Sequence, residues 1–248
     1  MKISFIVTSY NYAKYIEETI ASIQNQTYKN FEIIVVDDFS EDNSVAILEN
    51  LPNIKLIKHT SNKGQLASIL TGLEQANGEF ISIIDSDDTI KPEYAEILIK
   101  CLNENDVGLV TCNAKEDKIL TSKTNSFGGW WWTPMSCGMI KREYLTCLQS
   151  YTNTELWRIC PDKFIFNLVH LQANSMIISK KLVNKREHNL NAGKIKNRFL
   201  INLQNNFIIR HEALKLISDH TLRQIIIKSY PHIFTQIMNF CNKHTSKL

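Results

Sequence analysis

No cysteine pair in this chain has the CxxC spacing, and no histidines interleave with the cysteines at intervals that would suggest zinc. The six cysteines (Cys101, Cys112, Cys137, Cys147, Cys160 and Cys241) are scattered over 248 residues. That pattern fits a reducing compartment better than a disulfide framework. No apolar run approaches the roughly 20 residues a membrane-spanning helix needs. Met1-Lys2 runs straight into Ile3–Thr8, which is too short for a secretory core and lacks a small-residue cleavage site. Fixed-period repeats and low-complexity tracts are missing too. The net charge of +3 calls for neither nucleic acid nor an acidic partner. These absences point to a soluble or peripheral cytoplasmic protein, with the inner face of the plasma membrane as the other possible station.

What is present is ordinary for a globular chain: 44% hydrophobic and 21% charged residues. The length suits one large α/β domain with a buried core, or a domain with a short appendage. Strand and helix signals alternate through the first half. Ile3–Thr8, Phe31–Val36, Ile54–Lys58, Phe80–Ile84 and Val107–Cys112 read as strands. Tyr12 to Gln24, Asp42–Leu48, Leu66–Ala76 and the stretch from Pro92 to Leu102 read as helices. Such alternation predicts a mostly parallel sheet with helices on both faces. Ligands of such sheets bind beyond the carboxyl ends of the strands. Three polar segments fall there: Thr8-Ser9-Tyr10-Asn11, Asp37-Asp38-Phe39-Ser40 and Asp85-Ser86-Asp87-Asp88.

Three carboxylates in four residues repel one another unless a cation lies among them. Mg²⁺ and Mn²⁺ prefer oxygen ligands and commonly share a substrate's phosphates. An acidic turn capping the next helix is the plainer alternative. Past Cys112 the pattern is less regular. Ser136–Ile140 and Met176–Ile178 read as strands, and Glu143–Gln149 and Asp162–Gln172 as helices. Trp130-Trp131-Trp132 stands in an aromatic loop, where flat rings suit sugar faces or core packing. From about Ile195 the chain reads as two amphipathic helices, the second interrupted at Pro231. Residues 194–248 carry nine Lys or Arg against only Glu212 and Asp219. That basic surface would pack on the domain, form a homodimer, or rest on an anionic membrane.

The residues Ser4–Asn11, Ser22–Tyr28 with Phe31–Ser40, and Asn77–Ile81 leading to Asp85–Asp88 together resemble glycosyltransferase family two, the inverting enzymes of GT-A fold found in bacteria. The resemblance is ordered over residues 1–112. It implies a GT-A Rossmann-like domain over 1–194, with a nucleotide-sugar half (1–112), an acceptor half (113–194) and a basic helical extension (195–248). It implies transfer of a sugar from a nucleoside-diphosphate sugar, UDP-linked by family habit, to a saccharide or lipid-linked acceptor, in surface polysaccharide or glycolipid synthesis. The implied cofactor is Mn²⁺ or Mg²⁺.

Residue by residue, the resemblance places Thr8, Tyr10 and Asn11 around the nucleoside, with the Tyr10 ring against the base. Asp38 hydrogen-bonds the base and Asp37 is structural. Asp85 lies near the ribose or the metal's waters, Asp87 ligates the metal, and Asp88 faces the acceptor or the metal's outer shell. Asp162, in Pro161-Asp162 where relatives have Glu-Asp, is the expected base, with Glu155 in reserve; capping its own helix is the alternative for Asp162. Lys185–Asn191 is similar to a closing Arg-x-His-x-x-Asn segment, which gives Arg186 to phosphate and His188 to the metal, or else makes a solvated basic loop. Two rival functions remain at this level. One is a nucleotide-sugar-binding module that has lost its base. The other is a sugar nucleotidyltransferase, against which the lack of a Gly-rich loop after the first strand counts.

Overall fold

A computed structural model describes residues 1–121, 133–158, 161–186 and 208–228. Eight strands form one sheet in the order β3-β2-β1-β4-β8-β6-β9-β7. They are β1 (Ile3–Ser9), β2 (Phe31–Asp37), β3 (Lys55–Lys58), β4 (Phe80–Asp85), β6 (Leu109–Thr111), β7 (Lys118–Leu120), β8 (Gly138–Lys141) and β9 (Ser175–Ile177). The pairings give β3, β2, β1, β4, β6 and β9 one direction, opposed by β8 and β7. The sheet is therefore mostly parallel, as the alternation of elements predicts. β5 (Thr89–Ile90) and β10 (Val183–Asn184) form a separate antiparallel ribbon.

Alternate residues of a strand face opposite sides of its sheet, and here both sides are covered. Ile6, Ile34, Val36, Ile81 and Ile83 enter one core with α3 (Gln65–Gln75) and α5 (Asp162–Gln172). Phe5, Val7, Ile33, Val35 and Ile84 enter the other with α1 (Ile16–Gln24), α2 (Ser44–Glu49) and α4 (Tyr94–Glu104). Continuous apolar strands such as Ile33–Val36 result from burial on both faces. α3 lies close on β1 because Gly72 has no side chain: a Cβ there would come within 2.4 Å of Ile6.

The motif around Gln26 has a structural explanation. Its buried side chain donates to the carbonyls of Ser22 (3.1 Å) and Lys91 (2.8 Å) and accepts from Ala95 N (2.9 Å), tying α1 to α4. At the other end of the strands, Glu32 accepts from Lys2, Ser4 Oγ and Asn77 N. Burial pushes its carboxyl up, but these donors prevail and hold it at about 2.

Several boundaries differ from the sequence reading. Tyr12 and Tyr15 precede α1 instead of lying within it. Residues Arg142–Ser150 form 3₁₀ turns, not an α-helix. Ser136 belongs to a 3₁₀ turn (Met135–Cys137) that precedes β8. Towards the carboxyl end, residues 208–216 are helical (α6), and α7 spans His220–Lys228. Ile209, Ala213, Ile217 and Ile226 are buried in the same core as α3 and α5, so both helices spend apolar side chains on the α/β domain. Pro231 lies outside the described residues. Among the described residues no helix is long and apolar enough to cross a membrane.

Candidate functional site

Parallel pairing brings the three polar segments to one edge. In register, Ser9 lies opposite Asp37, and Thr8 lies between Val36 and Asp85. The turns after β1 and β2 then lock to each other. Asp37 accepts from Ser40 N (2.9 Å) and Ser40 Oγ (2.6 Å), and Ser40 Oγ accepts from Asn11 N (2.9 Å). Asn11 Oδ1 accepts from Glu41 N (2.8 Å). Asn11 and Phe39 both take left-handed conformations, with φ of 60° and 69°. Asparagine tolerates that region, whereas for a ring-bearing residue it is an outlier. The turn leaves Tyr10 and Phe39 among the exposed large side chains, at 41% and 47%. Asn11 therefore acts in holding this turn, and Tyr10 stands open at the edge.

Asp38 is only 4% exposed. Its Oδ1 accepts from Lys63 N (2.8 Å) and lies 2.8 Å from His59 Nδ1, and its Oδ2 accepts from Gly64 N (2.7 Å). A carboxylate has about four acceptor positions, so these three partners take most of its capacity. Gly64 has φ +88°, and a Cβ there would meet Arg158 Cα at 2.7 Å. A glycine is thus required where the loop turns into α3 against the second half of the chain. The next residue, Gln65, donates from Nε2 to Asp85 Oδ1 (2.7 Å).

The acidic cluster is compact. A tight turn bonds Asp88 N to Asp85 O (3.1 Å), and Thr19 Oγ1 holds the carbonyl of Ser86 (2.9 Å). Asp87 is 8% exposed. Ser136 Oγ donates to Asp88 Oδ2 (2.7 Å) and accepts from Asp85 N (3.0 Å). Burial, then the charges of Asp88, Asp87 and Asp162, pushes Asp85 well above the usual carboxylate range, against a smaller opposite pull from Lys185. Asp88 is pushed up to about 6, chiefly by burial and then by Asp87, with the Ser136, Arg186 and Lys185 interactions opposing. The Tyr12 phenol is also pushed up, by burial first and then by Asp87, Asp85 and Asp88. Burial is the first cause in all three, and the gathered negative charge adds to it.

Two parts of the second half reach this cluster. Asp162, buried as the first residue of α5, is near enough for its charge to act on Asp85. Its Oδ1 accepts from the adjacent Lys163 N (2.9 Å), and no side-chain bond caps the helix. The β5–β10 ribbon delivers Arg186. Arg186 N donates to Asp88 Oδ1 (3.3 Å) and its Nε to the Asp87 carbonyl (3.2 Å). The guanidinium lies 4.7 Å from the Tyr15 ring centroid and pairs with Glu18 (2.5 Å). Glu155, the reserve base, is paired instead with Arg158 on an exposed turn. Trp130, Trp131, Trp132 and His188 lie outside the described residues.

Sequence reasoning missed Tyr12, Gln65, Ser136 and Lys185. Tyr12 stood two residues beyond Tyr10 but inside an apparent helical period, and Gln65 directly follows the glycine that starts α3. Nothing local distinguishes Ser136, whose role depends on antiparallel pairing of β8 with β4.

The carboxylates of Asp85, Asp87 and Asp88 offer oxygen ligands, which suit a hard divalent cation. Among the described residues no group of three or more His, Cys, Asp or Glu side chains is arranged to hold a metal ion. A cation at this edge would have one or two carboxylates of the cluster and would share a substrate's phosphates.

A family model described as glycosyl transferase family 2 matches residues 4–150. An uncharacterized glycosyltransferase of Haemophilus influenzae is 32% identical over 199 residues, covering 76% of this chain and 54% of that protein. Glycosyltransferase GlyG of Streptococcus pneumoniae is 41% identical over 115 residues, covering 45% of this chain and 38% of that protein. The chain spans about half or less of the length of these curated relatives. Among solved structures, Staphylococcus aureus TarS 1–349 in complex with UDP matches with a TM-score of 0.71 at 22% identity, over 95% of this chain and 72% of that one. The mannosyltransferase PcManGT of Pyrobaculum calidifontis, in complex with GDP-Man and Mn²⁺, matches with a TM-score of 0.58 at 18% identity, over 97% and 75%. At these identities the structural likeness establishes the fold, which is the GT-A architecture.

Proposed function

This chain belongs to glycosyl transferase family 2, and on that footing we propose that it transfers a sugar from a nucleoside-diphosphate sugar to a hydroxyl acceptor with inversion. One observation carries the reading most. Asp162, from the far half of the chain, is brought close enough to the strand-end acids to raise Asp85. An acidic turn serving only as a helix cap would have no reason to gather a fourth, buried carboxylate.

In this reading Thr8, Tyr10 and Asp38 receive the nucleoside, with the exposed Tyr10 ring lying on the base. Asp85 and Asp87 face the diphosphate. A divalent cation held by Asp87, with His188 as a second ligand, would supply charge neutralisation for the departing diphosphate. Ser136 and Arg186 N each hold one oxygen of Asp88, so it orients the cluster. Arg186, already engaged by Glu18 and the Asp87 carbonyl, fastens the ribbon to the cluster and presents positive charge beside the phosphates.

Asp162 takes the proton of the acceptor hydroxyl as that oxygen attacks the anomeric carbon. The new bond is carbon to acceptor oxygen. The bond that breaks is carbon to phosphate oxygen, and its electron pair leaves on the diphosphate. The aromatic residues Trp130–Trp132 remain candidates for the acceptor side, and a saccharide or lipid-linked acceptor of surface polysaccharide or glycolipid synthesis is the class proposed. UDP is the favoured nucleotide, because TarS was solved with UDP and with UDP-GlcNAc. Mn²⁺ is the favoured cation, by likeness to PcManGT.

The test is nucleotide release from a panel of UDP- and GDP-sugars. With Mn²⁺ and mixed saccharide acceptors, the expected result is release from one UDP-sugar, abolished by EDTA. Release that is indifferent to EDTA would remove the cation from the account.

A further inference from the structure

Behind the acidic cluster lies a buried set of hydroxyls that the proposed chemistry does not use. Tyr94, fully buried on α4, places its hydroxyl 3.0 Å from the carbonyl oxygens of both Ser136 and Gly138, and 2.8 Å from Ser82 Oγ. Ser82 Oγ also donates to the Gly138 carbonyl (3.1 Å). These bonds fix the 3₁₀ turn Met135–Cys137 from inside the core. On its outer side the same turn presents the Ser136 hydroxyl, itself buried, to Asp88 Oδ2 and Asp85 N.

The direction of those two bonds is forced. The Asp85 amide can only donate, so Ser136 Oγ accepts there. Its single proton is then committed to Asp88. Asp88 is left with one oxygen on Ser136 and the other on Arg186 N. Each Asp88 oxygen thus has a fixed partner, and the Asp85 peptide is tied to the same hydroxyl.

We infer that Ser136, braced through the core by Tyr94, is the positioning residue that spaces Asp85, Asp87 and Asp88 for the diphosphate and its cation. The inference rests on the donor site proposed above and extends it to a residue that touches neither nucleotide nor metal. Groups that orient ligating carboxylates commonly matter 10- to 100-fold for metal affinity. Without the Ser136 hydroxyl, a buried amide loses its acceptor and Asp88 loses one of its two tethers. The like charges then spread by repulsion to positions that suit no common partner.

Calorimetric titration of UDP into the full chain at fixed Mn²⁺ tests this, with melting temperatures recorded in EDTA. Ser136→Ala is expected to weaken UDP binding by about 10-fold or more, and Ser136→Thr, which keeps the hydroxyl, to restore most of it. Tyr94→Phe, which keeps the ring, is expected to weaken binding by a few-fold. A merely structural serine would lower the melting temperature without this ordering of affinities. Equal UDP affinity in wild type and Ser136→Ala overturns the inference and leaves the donor site standing. Should Ser136→Ala not fold, equal affinity in Tyr94→Phe and wild type overturns it. A wild type that binds no UDP with Mn²⁺ sinks both the donor site and the inference.

Discussion

Asp87→Asn is expected to lower sugar transfer by about 100- to 1,000-fold, the scale of losing one preorganised stabiliser of transition-state charge, and at the same time to raise the melting temperature. The two effects have one cause. Asp87 contributes to the raised carboxyls of both Asp85 and Asp88, so the cluster is a site of stored repulsion. A carboxylate whose folded value lies above its unfolded one binds its proton more tightly when folded. Its cost to stability is therefore absent at low pH. For Asp88 that cost grows as pH rises from the ordinary 3.8 and is fully present above about 6. Replacing Asp87 with a neutral isostere removes part of it. The gain in EDTA should thus appear at neutral pH, shrink as pH falls below about 6 and be gone below about 4. Thermal melts in EDTA at several pH values, beside a transfer assay, check both halves. Such opposition of stability and function is common where acids converge on a site. An Asp87→Asn protein that transfers sugar at the wild-type rate would remove Asp87 from the leaving-group side.

Asp162→Asn is expected to reduce transfer by about 100- to 10,000-fold, the contribution of a general base, while UDP affinity with Mn²⁺ stays near that of wild type. Asp162 is the buried first residue of α5, and asparagine keeps its size and its ability to accept from Lys163 N. Substitution therefore removes the proton acceptor without disturbing the donor pocket. If Asp162 only completed its helix, asparagine would serve as well and transfer would survive. A parallel loss of UDP affinity would assign Asp162 to the donor instead.

The parallel half of this fold was legible because β1, β2 and β4 are mostly apolar stretches followed at once by polar residues. Ile33–Val36 ending in Asp37-Asp38 and Ile81–Ile84 ending in Asp85 announce both the sheet and the edge where ligands bind. Register then does what local sequence cannot. It sets Thr8 beside Asp85 and turns a list of polar segments into one surface. The second half was less legible because its elements are short and depend on distant partners. The two-residue strands β5 and β10 carry no periodic signal, yet their pairing, with the bonds of Asn113 to Leu182 and Val183, delivers Arg186 to Asp88. Ser136 is one serine among many until β8 pairs with β4. Asp38 shows a different limit. The resemblance directs it to the base, and the structure adds that three of its acceptor positions are taken by His59, Lys63 N and Gly64 N, a network in which the loop before α3 and the end of β3 meet. No residue type or spacing near Asp38 betrays those partners.

Calorimetric titration of UDP into the purified chain, once with Mn²⁺ and once with EDTA, tests the central claim most directly. The account predicts binding at one site per chain with Mn²⁺, weakened at least about 10-fold by EDTA. No binding of UDP in either buffer, with GDP equally inert, would contradict the claim that the edge formed by Thr8, Asp38 and Asp85–Asp88 is a nucleotide-sugar site.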